Sequence, residues 1–190
     1  MNDAPLDHAS VLHGDGRPEA PALNLTPLQE LNGRGLAAIH RWHLRQLSAI
    51  GHLMEEIAAG LADPARLSTA VRGMPMARNL RLFGTACGQE CQALATHHGI
   101  EDQYLFPALS RRAEDGLRPV LERLAAEHLV IHELIEDLAN AADRLAGEAE
   151  PGAFPACAAA FARLEGAVRS HFGYEEAQIG PALGFYEISV

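Results

Sequence analysis

One segment of this chain occurs twice, and that repetition limits its fold more than any other feature. His97-His98-Gly99-Ile100-Glu101-Asp102-Gln103-Tyr104-Leu105-Phe106-Pro107-Ala108-Leu109 returns 74 residues later as His171-Phe172-Gly173-Tyr174-Glu175-Glu176-Ala177-Gln178-Ile179-Gly180-Pro181-Ala182-Leu183. The shared skeleton is H-x-G-x-E-[DE]-x-x-x-x-P-A-L. In each copy a histidine and a glutamate stand four apart, which on a helix places them one turn above each other on one face. His128 and His132, between the copies, have the same spacing. Each pair can therefore aim two donors at one position between helices. A repeated pair with H-x-x-x-H between the copies suits a pseudo-twofold dinuclear site in a helical bundle.

The punctuation of the chain agrees. Residues 1–25 hold Pro5, Gly14, Gly16, Pro18 and Pro21 without periodicity and read as a flexible N-terminal arm. Thr26-Pro27-Leu28-Gln29 has the form of a capped helix start. Apolar Leu28, Leu31, Ile39, Leu47, Ile50, Met54 and Ile57 then recur at helical spacing up to Gly60. Asp63-Pro64 opens a short connecting helix that ends at Gly73. Further long helices are expected over 75–109, bent at Pro107, over 117–145, and over 154–179 before Gly180-Pro181. The expected fold is all-α. It is an antiparallel up-down four-helix bundle spanning residues 26–183, with a short connecting helix between the first two long helices and a short tail at 184–190.

Composition narrows the function. The chain of 190 residues is 48% hydrophobic but only 5% aromatic, which suits packed helices in one domain. A formal charge of −10 argues against nucleic acid or an anionic membrane surface as partner. No run approaches the ~18 apolar residues of a membrane span, and the first residues do not read as a signal peptide. Cys87, Cys91 and Cys157 do not form a secreted disulfide framework, and Cys87 and Cys91 read first as small core residues. A cytoplasmic location is expected.

Among the ten histidines, His40 lies on the apolar stripe of Leu36, Leu47 and Ile50, and His43 shares its face as an alternate. With a rise of ~1.5 Å per residue, an antiparallel arrangement brings His40, His97, His128, His132 and His171 into a slab on the order of 10–15 Å thick. His98 reads as a supporting or exposed residue. Tyr104 and Tyr174 are candidates for proton donation or ligation.

A single histidine, H-x-x-x-E, H-x-x-x-H and H-x-x-x-E on successive helices resemble the hemerythrin-like HHE cation-binding domain family over about residues 30–183. That resemblance implies a di-iron centre in which His128, His132 and His171 bind one iron. His40 and His97 would bind the other, with Glu101 and Glu175 bridging. Oxygen-carrying hemerythrins place the last carboxylate one residue later, where this chain has Glu176, so both Glu175 and Glu176 stand as candidates.

Donor counting extends the implication. Imidazole and carboxylate suit iron, manganese or zinc, and thiolates are not placed to join them. With two bridging carboxylates and one oxo or hydroxo bridge, the two-histidine iron keeps an open position. The chain is then expected to bind or sense dioxygen, peroxide or nitric oxide. The alternatives are a small di-iron redox enzyme, such as a catalase-like peroxide scavenger or an oxidase, and then iron storage or delivery.

Overall fold

The computed structural model describes residues 6–73, 94–147 and 152–189. These segments are helical, and no strand occurs among the described residues. Their order is α1 (His8–His13), α2 (Pro27–Gly33), α3 (Gly35–Ala58), α4 (Pro64–Gly73), α5 (Leu94–Ile100), a π-helical turn (Glu101–Leu105), α6 (Phe106–Arg112), a 3₁₀ turn (Glu114–Leu117), α7 (Arg118–Gly147) and α8 (Ala153–Phe185). The expected start of the second long helix at Pro75 lies outside the described residues, as do Cys87 and Cys91. No helix among the described residues is long and apolar enough to cross a membrane.

Local chemistry sets most boundaries. Thr26 and Gln29 form a reciprocal capping box at the start of α2, with Pro27 in the first turn. Gly60, at φ 70°, adopts the left-handed conformation that follows a helix end. Asp63 accepts from the Ala65 amide at 2.8 Å and so caps α4.

Two boundaries differ from the sequence expectation. The first long helix is broken at Arg34, between α2 and α3. Here α2 approaches the end of α8 backbone to backbone. A Cβ on Gly33 would run into the Gly180 carbonyl oxygen, and one on Gly184 would run into that of Gln29. The second difference is at the C-terminus, where α8 continues through Pro181 to Phe185. An interior proline ordinarily interrupts a helix, but Ile179, Ala182 and Leu183 on either side are fully buried in the core. Packing overrides the local preference.

The two ends make specific contacts. Within residues 1–25, which read as a flexible arm from the sequence, several residues of 6–25 meet the rest of the chain. Asp7 caps α1, Val11 is fully buried, and Ala20 and Leu23 pack against the core. The short tail is also engaged, with Tyr186 and Ile188 against the same core and Arg112 donating to the Tyr186 carbonyl.

The chain groups into two compact units, one from residues 1–42, 98–130 and 167–190, the other from 43–97 and 131–166. The first packs Leu36, Leu105, Phe106, Leu109, Leu124, Tyr174 and Leu183 into one cluster and carries most of the chemistry described below. The second buries Leu47, Ile50, Leu67, Ile131, Leu134, Leu138 and Leu164, with small Ala139, Ala142 and Ala160 among them.

The glycines separate into two kinds, and this can be tested. Gly184→Ala forces rigid backbone apart and should cost about 1–3 kcal/mol. Gly173, inside α8, has open space where a Cβ would stand and should gain up to about 1 kcal/mol as Ala. Urea midpoints of the two variants should therefore move in opposite directions.

Candidate metal centre

Two groups of buried donors occur within the described residues. In the first, His98, His128 and His171 each offer a ring nitrogen, all within 4.8 Å of one another. In the second, His40, His97, Glu101 and Glu175 offer donor atoms within the same limit. All seven side chains are buried, none more than 6% exposed. The two glutamates reach both groups. Glu175 lies 3.3 Å from His40 Nε2 and 3.6 Å from His171 Nε2, and Glu101 lies 3.6 Å from His128 Nε2.

The repeat explains how these side chains are aimed. In each copy the first carboxylate of the acidic pair points into the donor groups. The second accepts a hydrogen bond from a histidine on another helix. Glu176 accepts from His40 Nδ1 at 2.8 Å, and Asp102 accepts from His128 Nδ1 at 3.0 Å. Each acidic pair thus brackets one imidazole, Glu175 and Glu176 around His40, Glu101 and Asp102 around His128. A carboxylate only accepts, so the proton sits on Nδ1 and the Nε2 lone pair faces inward. The third imidazole is held the same way from outside the repeat, since His171 Nδ1 donates to Glu127 at 3.0 Å.

Glu127 has no place in the sequence reading. It is fully buried and receives Arg17 on both oxygens and Arg123 on one. Burial opposes its ionisation, but hydrogen bonds from His171, Arg17 and Arg123 outweigh that and hold the carboxyl at about 2. The available sequence signal is the i,i+4 pair Arg123…Glu127 directly before His128; Arg17, 110 residues away, has none.

The remaining sequence candidates separate clearly. His132 belongs to neither donor group and is only half-buried, and the third histidine beside His128 and His171 is His98. The His98 ring stacks on His128 at 3.9 Å between centroids, with an interplanar angle of 8°. Adjacent His97 and His98 both turn inward at the end of α5, immediately before the π turn. There the Phe106 amide donates to the Glu101 carbonyl, five residues back, and Pro107 has no amide to donate. His43 is buried with its ring 5.2 Å from that of His97, and it is in neither group. Tyr104 is 68% exposed. Tyr174 donates to the Pro18 carbonyl at 2.7 Å, and burial followed by the charge of Glu127 pushes its hydroxyl up to about 12.

These donors fit a cation on their own chemistry. Burial holds His40 at about 4, against the raising effect of Glu176, so near neutral pH it is an uncharged imidazole with a lone pair to give. Burial raises the Glu175 carboxyl to about 7, with His171 and Glu101 opposing it, and burial with the charge of Glu175 raises Glu101. His171 Nε2 is buried without a hydrogen-bond partner. Two facing buried carboxylates are costly to ionise together unless a positive charge joins them. Arg17 and Arg123, nearby, are already engaged with Glu127. A divalent ion among the imidazoles meets the need, and mixed nitrogen and oxygen donors suit iron, manganese or zinc.

Removing one of these carboxylates should stabilise the metal-free protein. A carboxyl raised in the folded state contributes its full stability below its unfolded value of 4.5 and loses it as pH rises through about 7. Metal-free Glu175→Gln should then melt above wild type at about pH 8, by the equivalent of a few kcal/mol, and the gap should close toward pH 4. Equal melting temperatures at the higher pH would show that the carboxyl is not strained there.

Comparison with curated proteins and with solved structures gives no match. A family model does match, the hemerythrin HHE cation binding domain, over residues 34–183. That span runs from α3 into the last turn of α8 and takes in all seven donors of the two groups, and the chain belongs to the hemerythrin HHE cation-binding domain family.

Proposed function

We propose that this chain is a non-haem di-iron protein that binds or senses dioxygen, peroxide or nitric oxide, on an antiparallel up-down four-helix bundle. The observation that carries the reading is the pair of adjacent donor groups, five histidines and two glutamates in all, with Glu101 and Glu175 in reach of both. Iron held by such donors supplies reversible ferrous–ferric redox chemistry and an exchangeable coordination position. With the glutamates shared, His98, His128 and His171 give one position three nitrogens, while His40 and His97 give the other two. The exchangeable position then belongs beside His40 and His97.

The chain's own residues supply a rigid and largely dry setting for that position. Phe172 stacks on His40 at 3.8 Å with an interplanar angle of 3°. The tyrosines give no support to turnover, for which His43, with its ring 5.2 Å from that of His97, is the remaining nearby candidate. A peroxide-processing enzyme needs a proton donor beside the reacting atoms. Here Tyr174 donates outward to Pro18 and Tyr104 is exposed to solvent.

Protein expressed with sufficient iron should hold about two irons per chain. Anaerobic reduction followed by dioxygen, peroxide or nitric oxide should change the visible spectrum, and removing the ligand should reverse the change. Rapid peroxide loss with oxygen release would move the reading to the enzyme. A single tightly held zinc with no second ion would overturn it.

The donor set gives a separate expectation. His98→Ala should lower iron content toward one per chain, whereas His132→Ala should leave it near two. Metal analysis giving the opposite ranking would favour His128 and His132 as the ligand pair.

A further inference from the structure

The N-terminal segment lies outside the region matched by the family model, yet it reaches the centre through one side chain. Arg17 Nε and Nη2 each donate to a different oxygen of Glu127, both at 2.8 Å. The same guanidinium donates to Ser170 Oγ at 3.0 Å, to the Ser170 carbonyl at 3.2 Å and to the Val11 carbonyl at 3.2 Å. Its carbon sits 4.6 Å from the centre of the Tyr174 ring. Arg123 Nε takes a second place on Glu127 Oε1 at 2.7 Å, and Arg123 Nη2 ties back to the Ser10 carbonyl at 3.0 Å. With the fork of Arg17 in place, Glu127 Oε2 accepts from only one other group, His171 Nδ1.

We infer that Arg17 is a positioning residue of the metal centre: it locks the Glu127 carboxylate, and Glu127 orients His171 with Nε2 toward His98 and His128. The inference rests on the metal-binding reading and concerns the three-histidine position alone. A rigid two-pronged donor is what the task requires. Two parallel hydrogen bonds fix both the place and the plane of a carboxylate, whereas an ammonium fixes neither. Without Arg17 the buried Glu127 loses two of its four hydrogen bonds and a balancing charge. The imidazole that depends on it then loses its fixed orientation. Partners of this kind commonly account for roughly 10–100-fold in metal affinity.

The test is a titration of Co²⁺ into metal-free protein, read by its visible ligand-field bands and by equilibrium dialysis. Wild type, Arg17→Met, Arg17→Lys and Gln178→Ala are compared. Gln178 accepts from the Ala20 amide at 2.6 Å, so its loss loosens the segment without touching Glu127. In Arg17→Met one Co²⁺ equivalent should weaken by roughly 10–100-fold with altered bands, and the other should be unchanged. Arg17→Lys should recover part of the loss, and Gln178→Ala should bind as wild type does. Wild-type affinity in Arg17→Met, or an equal loss in Gln178→Ala, overturns the inference. If Arg17→Met does not fold, Arg17→Lys carries the test: a several-fold loss supports the inference and no loss overturns it. Wild type that takes up no Co²⁺ marks the failure of the metal-binding reading itself.

Discussion

Glu101 and Glu175 face each other in a region with almost no access to water, and the surrounding arrangement answers the electrostatic problem they create. Two carboxylates so placed cannot both ionise cheaply. Among the described residues, the nearby Arg17 and Arg123 are paired with Glu127. The chain surrounds the two carboxylates with imidazoles, one of them, His40, held neutral by burial. An imidazole lone pair beside two carboxyls that burial makes costly to ionise together is a setting that a metal cation would suit.

An outer set of carboxylates prepares that site. Glu176, Asp102 and Glu127 each take the Nδ1 proton of one histidine and turn its Nε2 inward. These bonds join residues 136, 26 and 44 positions apart, so orienting the imidazoles also ties distant segments together. Imidazole orientation and long-range packing share one network of bonds here. The segment 6–25 shares in it, because Arg17 completes the pairing of Glu127 from a part of the chain with little helix of its own.

The same repeated skeleton has two backbone outcomes. Around Pro107 the helix widens into a π turn at Glu101–Leu105, while around Pro181 it continues as α-helix to Phe185. The two prolines have the same chemistry, so the difference arises from what packs around them. Near Pro181 the close approach of Gly33 and Gly184 to facing backbone holds the helix in register. The shared glycines Gly99 and Gly173 meet nothing within 4 Å and play no part in that contact.

Much of this is present in the sequence as local pattern. Helical periodicity, the capping box at Thr26 and the i,i+4 spacing of His97 with Glu101 and His171 with Glu175 all act over a single turn, which is why they can be read without a structure. The acidic pairs are visible too, but spacing alone does not say which member turns inward, because adjacent residues on a helix differ by only about 100°. Tertiary contacts decided that: Glu176 is drawn outward by His40 and Asp102 by His128. They also brought the His98 ring beside His128 and His171, and set Ala20 and Leu23 against the core. Each of those outcomes depends on partners far apart in the chain, whose meeting is set by the packing of whole helices.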